Sequence, residues 1–197
     1  MTFGRWLSVV GLVAAALTAA PGLAQAQEGS GCGGFRWPLD LERAALIRAD
    51  KPSLANGGAL ALNVAMTLEL QPLASAGLPK PPERAPKSAQ AFAGHFALPA
   101  PAKPGVYKIT ISSPGWIDLL DGDSYLHPKA FTGATECEGA RKSVKFDLPS
   151  RPLALQFSGV PADRISVIVS PDQSRPAHRG CGRRSGEPVS GGNAVAP

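Results

Sequence analysis

The sequence predicts a mainly β protein, an antiparallel β-sandwich or jelly roll with one short helix near its N-terminus. Three observations predict it. Apolar residues alternate at period two through six short segments, each closed by proline or glycine. Only one stretch, near residues 39–49, has helical periodicity, so the crossover helices of a parallel α/β sheet are missing. The 22 glycines and 20 prolines fall largely between the alternating runs, where turns belong.

Taken in chain order, residues 1–26 read as a secretory signal peptide. Arg5 supplies the basic start, Trp6 to Ala20 the apolar run and Ala24-Gln25-Ala26 the cleavage triplet. That run is shorter than the roughly 20 residues a spanning helix needs, so no transmembrane span is expected after cleavage. Removing the segment takes away Arg5 and no acidic residue, which lowers the net charge from +5 to +4. Such mild basicity points to no specific nucleic-acid partner. The expected organisation is a single domain over 27–170 and a disordered basic tail over 171–197, too poor in large apolar residues to form a core. The expected location is periplasmic or secreted.

Within the domain, Pro38 and Asp40 start the helix; Leu41, Ala44, Ala45 and Ile47 form its apolar side, and Pro52 with "ANGG" stops it. A strand is expected near 64–71. Residues 72–88, "PLASAGLPKPPERAPKS", carry five prolines and read as an extended surface loop. The six strands then follow in "AFAGHFALP", "GVYKITISS", "WIDLLDGD", "KSVKFDLP", "LALQFSGVP" and "RISVIVSP". In "KSVKFDLP", Val144, Phe146 and Leu148 alternate with Ser143, Lys145 and Asp147, which predicts a solvated polar face.

Chemistry-bearing residues are sparse. His95 and His127 lie on separate elements, and only Asp118, Asp121 and Asp123 could join them as metal ligands. The acids of "DLLDGDSYLH" lack calcium-loop spacing, so Asp121-Gly122 reads as a hairpin turn and no cofactor is expected. No Gly-x-Ser-x-Gly elbow or phosphate-binding glycine loop occurs. Trp116, with Trp37, Phe35, Phe92 and Tyr107, is a candidate either for a carbohydrate-stacking platform or for the core.

Export implies an oxidising compartment, and three cysteines remain after cleavage: Cys32, Cys137 and Cys181. Cys137 has Arg141 and Lys142 nearby, but Glu136 and Glu138 oppose a thiolate. A Cys32–Cys137 disulfide is therefore expected, pinning the N-terminal segment onto the sandwich and leaving Cys181 over in the tail.

The run "GVYKITISSPGWIDLL", followed by "RKSVKFDLPSRPLALQFSG" and "DRISVIVSP", resembles the bacterial pre-peptidase C-terminal type of β-sandwich. That resemblance implies a non-catalytic accessory domain of secreted proteins. "CGGFRWP", "WIDLL" and "CEGARKSVKFDLP" are also similar to a group of small exported Gram-negative proteins, some of which carry the label homogentisate 1,2-dioxygenase. The enzyme family of that name holds iron through two histidines and a glutamate, and this chain has no His-x-x-x-x-x-Glu spacing to match. The expected function is thus an exported, non-catalytic binding or envelope-associated module, with an envelope component or a glycan as partner. The alternatives are a metal-dependent, dioxygenase-like enzyme using His95, His127 and the nearby carboxylates, and a glycan or lipopolysaccharide binder using Trp116.

Overall fold

The computed structural model describes residues 29–173; the expected signal segment and the tail beyond Gln173 lie outside the described residues. In chain order the elements are β1 (Gly29–Ser30), α1 (Asp40–Leu46), β2 (Ser53–Leu54), β3 (Met66–Glu69), β4 (Gln71–Pro72), β5 (Phe92–Leu98), β6 (Gly105–Ile111), β7 (Trp116–Asp121), β8 (Ser124–Leu126), β9 (Ala130–Thr135), β10 (Lys142–Leu148), β11 (Leu153–Val160) and β12 (Arg164–Pro171). They form two sheets, a seven-stranded one in the order β1-β9-β10-β6-β12-β3-β2 and a five-stranded one in the order β4-β5-β11-β7-β8. The architecture is an open β-sandwich with one helix, and all its long strand pairs are antiparallel.

All six expected strands are present, as β5, β6, β7, β10, β11 and β12. The helix is shorter than the 39–49 expected from its pattern, and Ile47, beyond its end, is exposed. The strand expected over 64–71 is β3, after which the chain steps into the other sheet as β4. Strand pairing continues through Pro171, one residue past the expected end of the domain.

The chain changes sheet at its proline- and glycine-rich breaks. Residues 99–104 carry it from β5 to β6, 112–115 from β6 to β7, 149–152 from β10 to β11 and 161–163 from β11 to β12. A two-residue hairpin joins β7 to β8, with Asp121 paired to Ser124 and Gly122 at φ 57°, a conformation glycine adopts without steric cost. Between the sheets lies the core. Ile109, Phe146 and Val167 of the larger sheet face Phe96, Leu119 and Phe157 of the smaller one, all essentially inaccessible to water. Burial of each such side chain is worth about 1.5–3 kcal/mol, which sets the register of every long strand.

The outer face of the larger sheet is covered, contrary to the solvated face expected around Ser143 and Lys145. The N-terminal segment crosses it as a strap: β1 pairs with β9, Cys32 is joined to Cys137, and Trp37 donates its Nε1–H to Ser143 Oγ at 3.3 Å. Lys145 sits 4.4 Å from the centre of the Trp37 ring and pairs with Asp172 at 2.6 Å. Only Asp147 of that triplet is exposed, where it pairs with Lys129. Further along, α1 lowers Glu42 onto the central strand, and its Oε1 accepts from Lys108 Nζ and from Ser170 Oγ, each at 2.7 Å. Burial works against ionisation of Glu42, but the two hydrogen bonds and the Lys108 charge outweigh it and hold the carboxyl below its ordinary range.

Candidate functional site

The outer face of the smaller sheet carries a buried polar row. His95 of β5 and Asp118 of β7 flank Gln156 of β11 at paired positions, and Ser158 pairs with Trp116 one step along the same face. Gln156, Ser158 and Asp118 are buried, and the proline-rich segment meets this face at Asp118, through the Glu83 backbone N–H, and at Gly159, beside Pro86. That segment is anchored at several points. Asn56 Nδ2 donates to the Ala76 carbonyl at 2.9 Å, Lys80 Nζ to the Asp123 carbonyl at 2.6 Å, and the Tyr125 hydroxyl to the Pro81 carbonyl. Asp118 is the centre of the row: its carboxylate accepts from Trp116 Nε1 at 2.5 Å, from Gln156 Nε2 at 3.0 Å and from the Glu83 backbone N–H at 3.3 Å. Three atoms of the row, His95 Nδ1, Gln156 Oε1 and Ser158 Oγ, are buried with no hydrogen-bond partner among the described residues.

The residues considered as metal ligands are dispersed. His95 and Asp118 stand two strands apart, about 10 Å from backbone to backbone. Asp121 pairs with Arg151, His127 lies on the surface with Nδ1 3.3 Å from Glu83, and Asp123 is exposed in the β7–β8 turn. Among the described residues, no three His, Cys, Asp or Glu side chains come together in a way that could hold a metal ion. The aromatic residues do not form one platform either. Tyr107 belongs to the core and Phe92 packs against it, while Trp37 covers β10 under the strap.

Trp116 instead borders a pocket of about 290 Å³ at the open side of the sandwich, where β7 and β8 of one sheet face β9 and β10 of the other. Ile117, Leu119, Leu126 and Val144 line it from the core, so it is apolar at depth. Its wall is aromatic: Trp116, Tyr125 and Phe131, the last 54% exposed although large and apolar. The rim is charged. Arg84, delivered by the proline-rich segment, and Lys142, at the start of β10, each lie 5.4 Å from the centre of the Trp116 ring. Partial burial, with the carboxylates of Asp118 and Glu83 nearby, holds the Tyr125 phenol above its ordinary range.

A second, wider depression of about 680 Å³ runs between α1 and the outer face of the larger sheet. Two of its carboxylates are engaged, Glu42 with Lys108 and Asp172 with Lys145, so it is floored by the ion pairs that hold the strap. The pocket beside Trp116 is the better site. It combines an apolar interior with a few convergent polar groups at its mouth, the usual make-up of a small-molecule site.

No family model, curated protein or solved structure matches this chain. The site therefore rests on its own residues. Trp116 was legible in sequence as a candidate; Arg84, Phe131 and Gln156 were not. The signal for Arg84 was "PPERAP", a charged pair held between prolines, which fixes the loop's path without showing what it covers. For Phe131 it was a large aromatic in "AFTGAT", a β9 segment that the alternation pattern did not single out.

Proposed function

We propose that this protein is an exported, non-catalytic binding module, and that its ligand sits in the pocket beside Trp116. The observation that carries this reading is the meeting of an apolar interior, three aromatic side chains and charged rim groups where β7 and β8 of one sheet face β9 and β10 of the other. The Cys32–Cys137 bridge supports an oxidising compartment, the sort in which disulfides persist. Among the described residues no helix is long and apolar enough to cross a membrane. The likeness of residues 92–171 to the pre-peptidase C-terminal type of sandwich agrees with a non-catalytic, accessory role.

The test is proton–nitrogen and methyl NMR of the full chain with small apolar probes. The Trp116 indole N–H and the Leu119 and Val144 methyl signals should shift together and saturate at a common probe concentration. Probes that shift signals elsewhere and leave this cluster unmoved would refute the assignment.

A further inference from the structure

Resting on that reading of the pocket, we infer that its ligand is a small apolar carboxylate, such as a medium-chain alkanoate or an arylalkanoate, with its chain among Ile117, Leu126 and Val144 and its carboxylate at Arg84. Size sets the first limit. At about 30 Å³ for each water-sized group, the 290 Å³ inside the cleft holds about ten non-hydrogen atoms, which suits an eight-carbon acid. The interior sets the second. Its core-facing side chains are hydrocarbon, so the enclosed part of the ligand must be apolar.

Charge at the rim decides the head group. Two carboxylates and two cations border the pocket, but they are not equally available. Asp118 already accepts three hydrogen bonds and is buried, and Glu83 faces the His127 imidazole. Lys142 donates to the Gly115 carbonyl at 2.7 Å, which holds its positive charge beside the mouth. Arg84 stacks near Trp116 and has no carboxylate partner among the described residues. Its planar fork of donors matches a carboxylate in bidentate fashion, and the ring beneath it holds the guanidinium in place. A neutral sugar stacking on Trp116 would compete with two cations already near that ring.

The experiment is calorimetric titration of the full chain with octanoate, 1-octanol and octylamine, read alongside the Trp116 indole N–H signal. Octanoate should bind at least tenfold more tightly than either of the others, and Arg84→Gln should remove that preference while the chain still folds and still takes up octanol weakly. Equal affinity for octanol, tighter binding of octylamine, or a preference for octanoate that survives Arg84→Gln would overturn the carboxylate assignment and leave the pocket standing as a site. If none of the three moves the Trp116 signal, the pocket is not a small-molecule site and both readings fall. The exposed Phe131 provides a second check. Phe131→Ala should weaken octanoate and octanol alike, because it removes apolar wall and no charge; an effect on octanoate alone would place the head group at Phe131 and overturn the assignment to Arg84.

Discussion

Replacing Glu42 by glutamine tests how the strap is held. Glu42 and Lys108 have side chains 7% and 10% exposed and sit 2.7 Å apart, so removing one charge strands the other under α1. Breaking such a pair by removing one partner costs about 3–5 kcal/mol. Glutamine keeps a hydrogen-bond acceptor toward Lys108 and Ser170, which places Glu42→Gln near the low end, about 3 kcal/mol. Lys108→Met, which strands the carboxylate instead, belongs at about 4 kcal/mol. The double variant removes both charges and should lose much less than the sum, about 1–2 kcal/mol, since a buried pair is often replaceable by apolar groups at little cost. Urea unfolding of the disulfide-intact chain measures all four corners of the cycle. The pH dependence gives an independent reading. Because the folded carboxyl lies below its ordinary range, the pair's contribution is complete above the unfolded value of about 4.3. It is lost as pH falls from there through the lower folded value. Glu42→Gln should remove that component of the acid sensitivity. Additive losses in the double variant, or an unchanged acid profile in Glu42→Gln, would refute the claim that this pair holds the helix.

Two further outcomes are expected. Replacing Cys32 and Cys137 by serine opens a loop with a sequence separation of 105, for which the chain-entropy model gives about 4.7 kcal/mol; reversible unfolding with and without reductant measures it, and a loss below 1 kcal/mol would show that the strap stays in place without the bond. Ser158→Ala removes a fully buried hydroxyl with no hydrogen-bond partner among the described residues, so it should stabilise by about 1 kcal/mol, or about 3 °C in melting temperature; a destabilisation of that size would mean that the hydroxyl has a partner.

Much of the fold was legible in the chain. Alternation in β5, β6, β10, β11 and β12 names the side of each strand that meets the core, because burial of one face fixes the register. What alternation omits is the neighbour. Asp121-Gly122 does mark the tight turn that makes a hairpin, but nothing local in the "SSPG" break after β6 says that it sends the chain to the opposite sheet. Period two also reports which residues share a face, not what covers it. Ser143 and Lys145 read as solvated, yet Trp37 lies over them from more than a hundred positions earlier in the chain. Gly139 shows the same limit: its φ is 82°, and a β-carbon there would fall 2.5 Å from Ile47 Cγ2, a requirement set by the strap and not by "CEGA".

The candidate site divides in the same way. Composition and local pattern determined by themselves that this is a β-rich chain with one short helix and few chemistry-bearing residues. They also marked Trp116 as an aromatic worth testing and Cys137 as half of a clamp. Only the tertiary structure decided that Arg84 reaches Trp116, that Asp118 is buried beneath the proline-rich segment, and that Phe131 stands exposed at the parting of the sheets. The reason is physical. A pocket is the space between elements that are distant along the chain, and its polarity depends on which charges are already matched by partners that no local pattern reports.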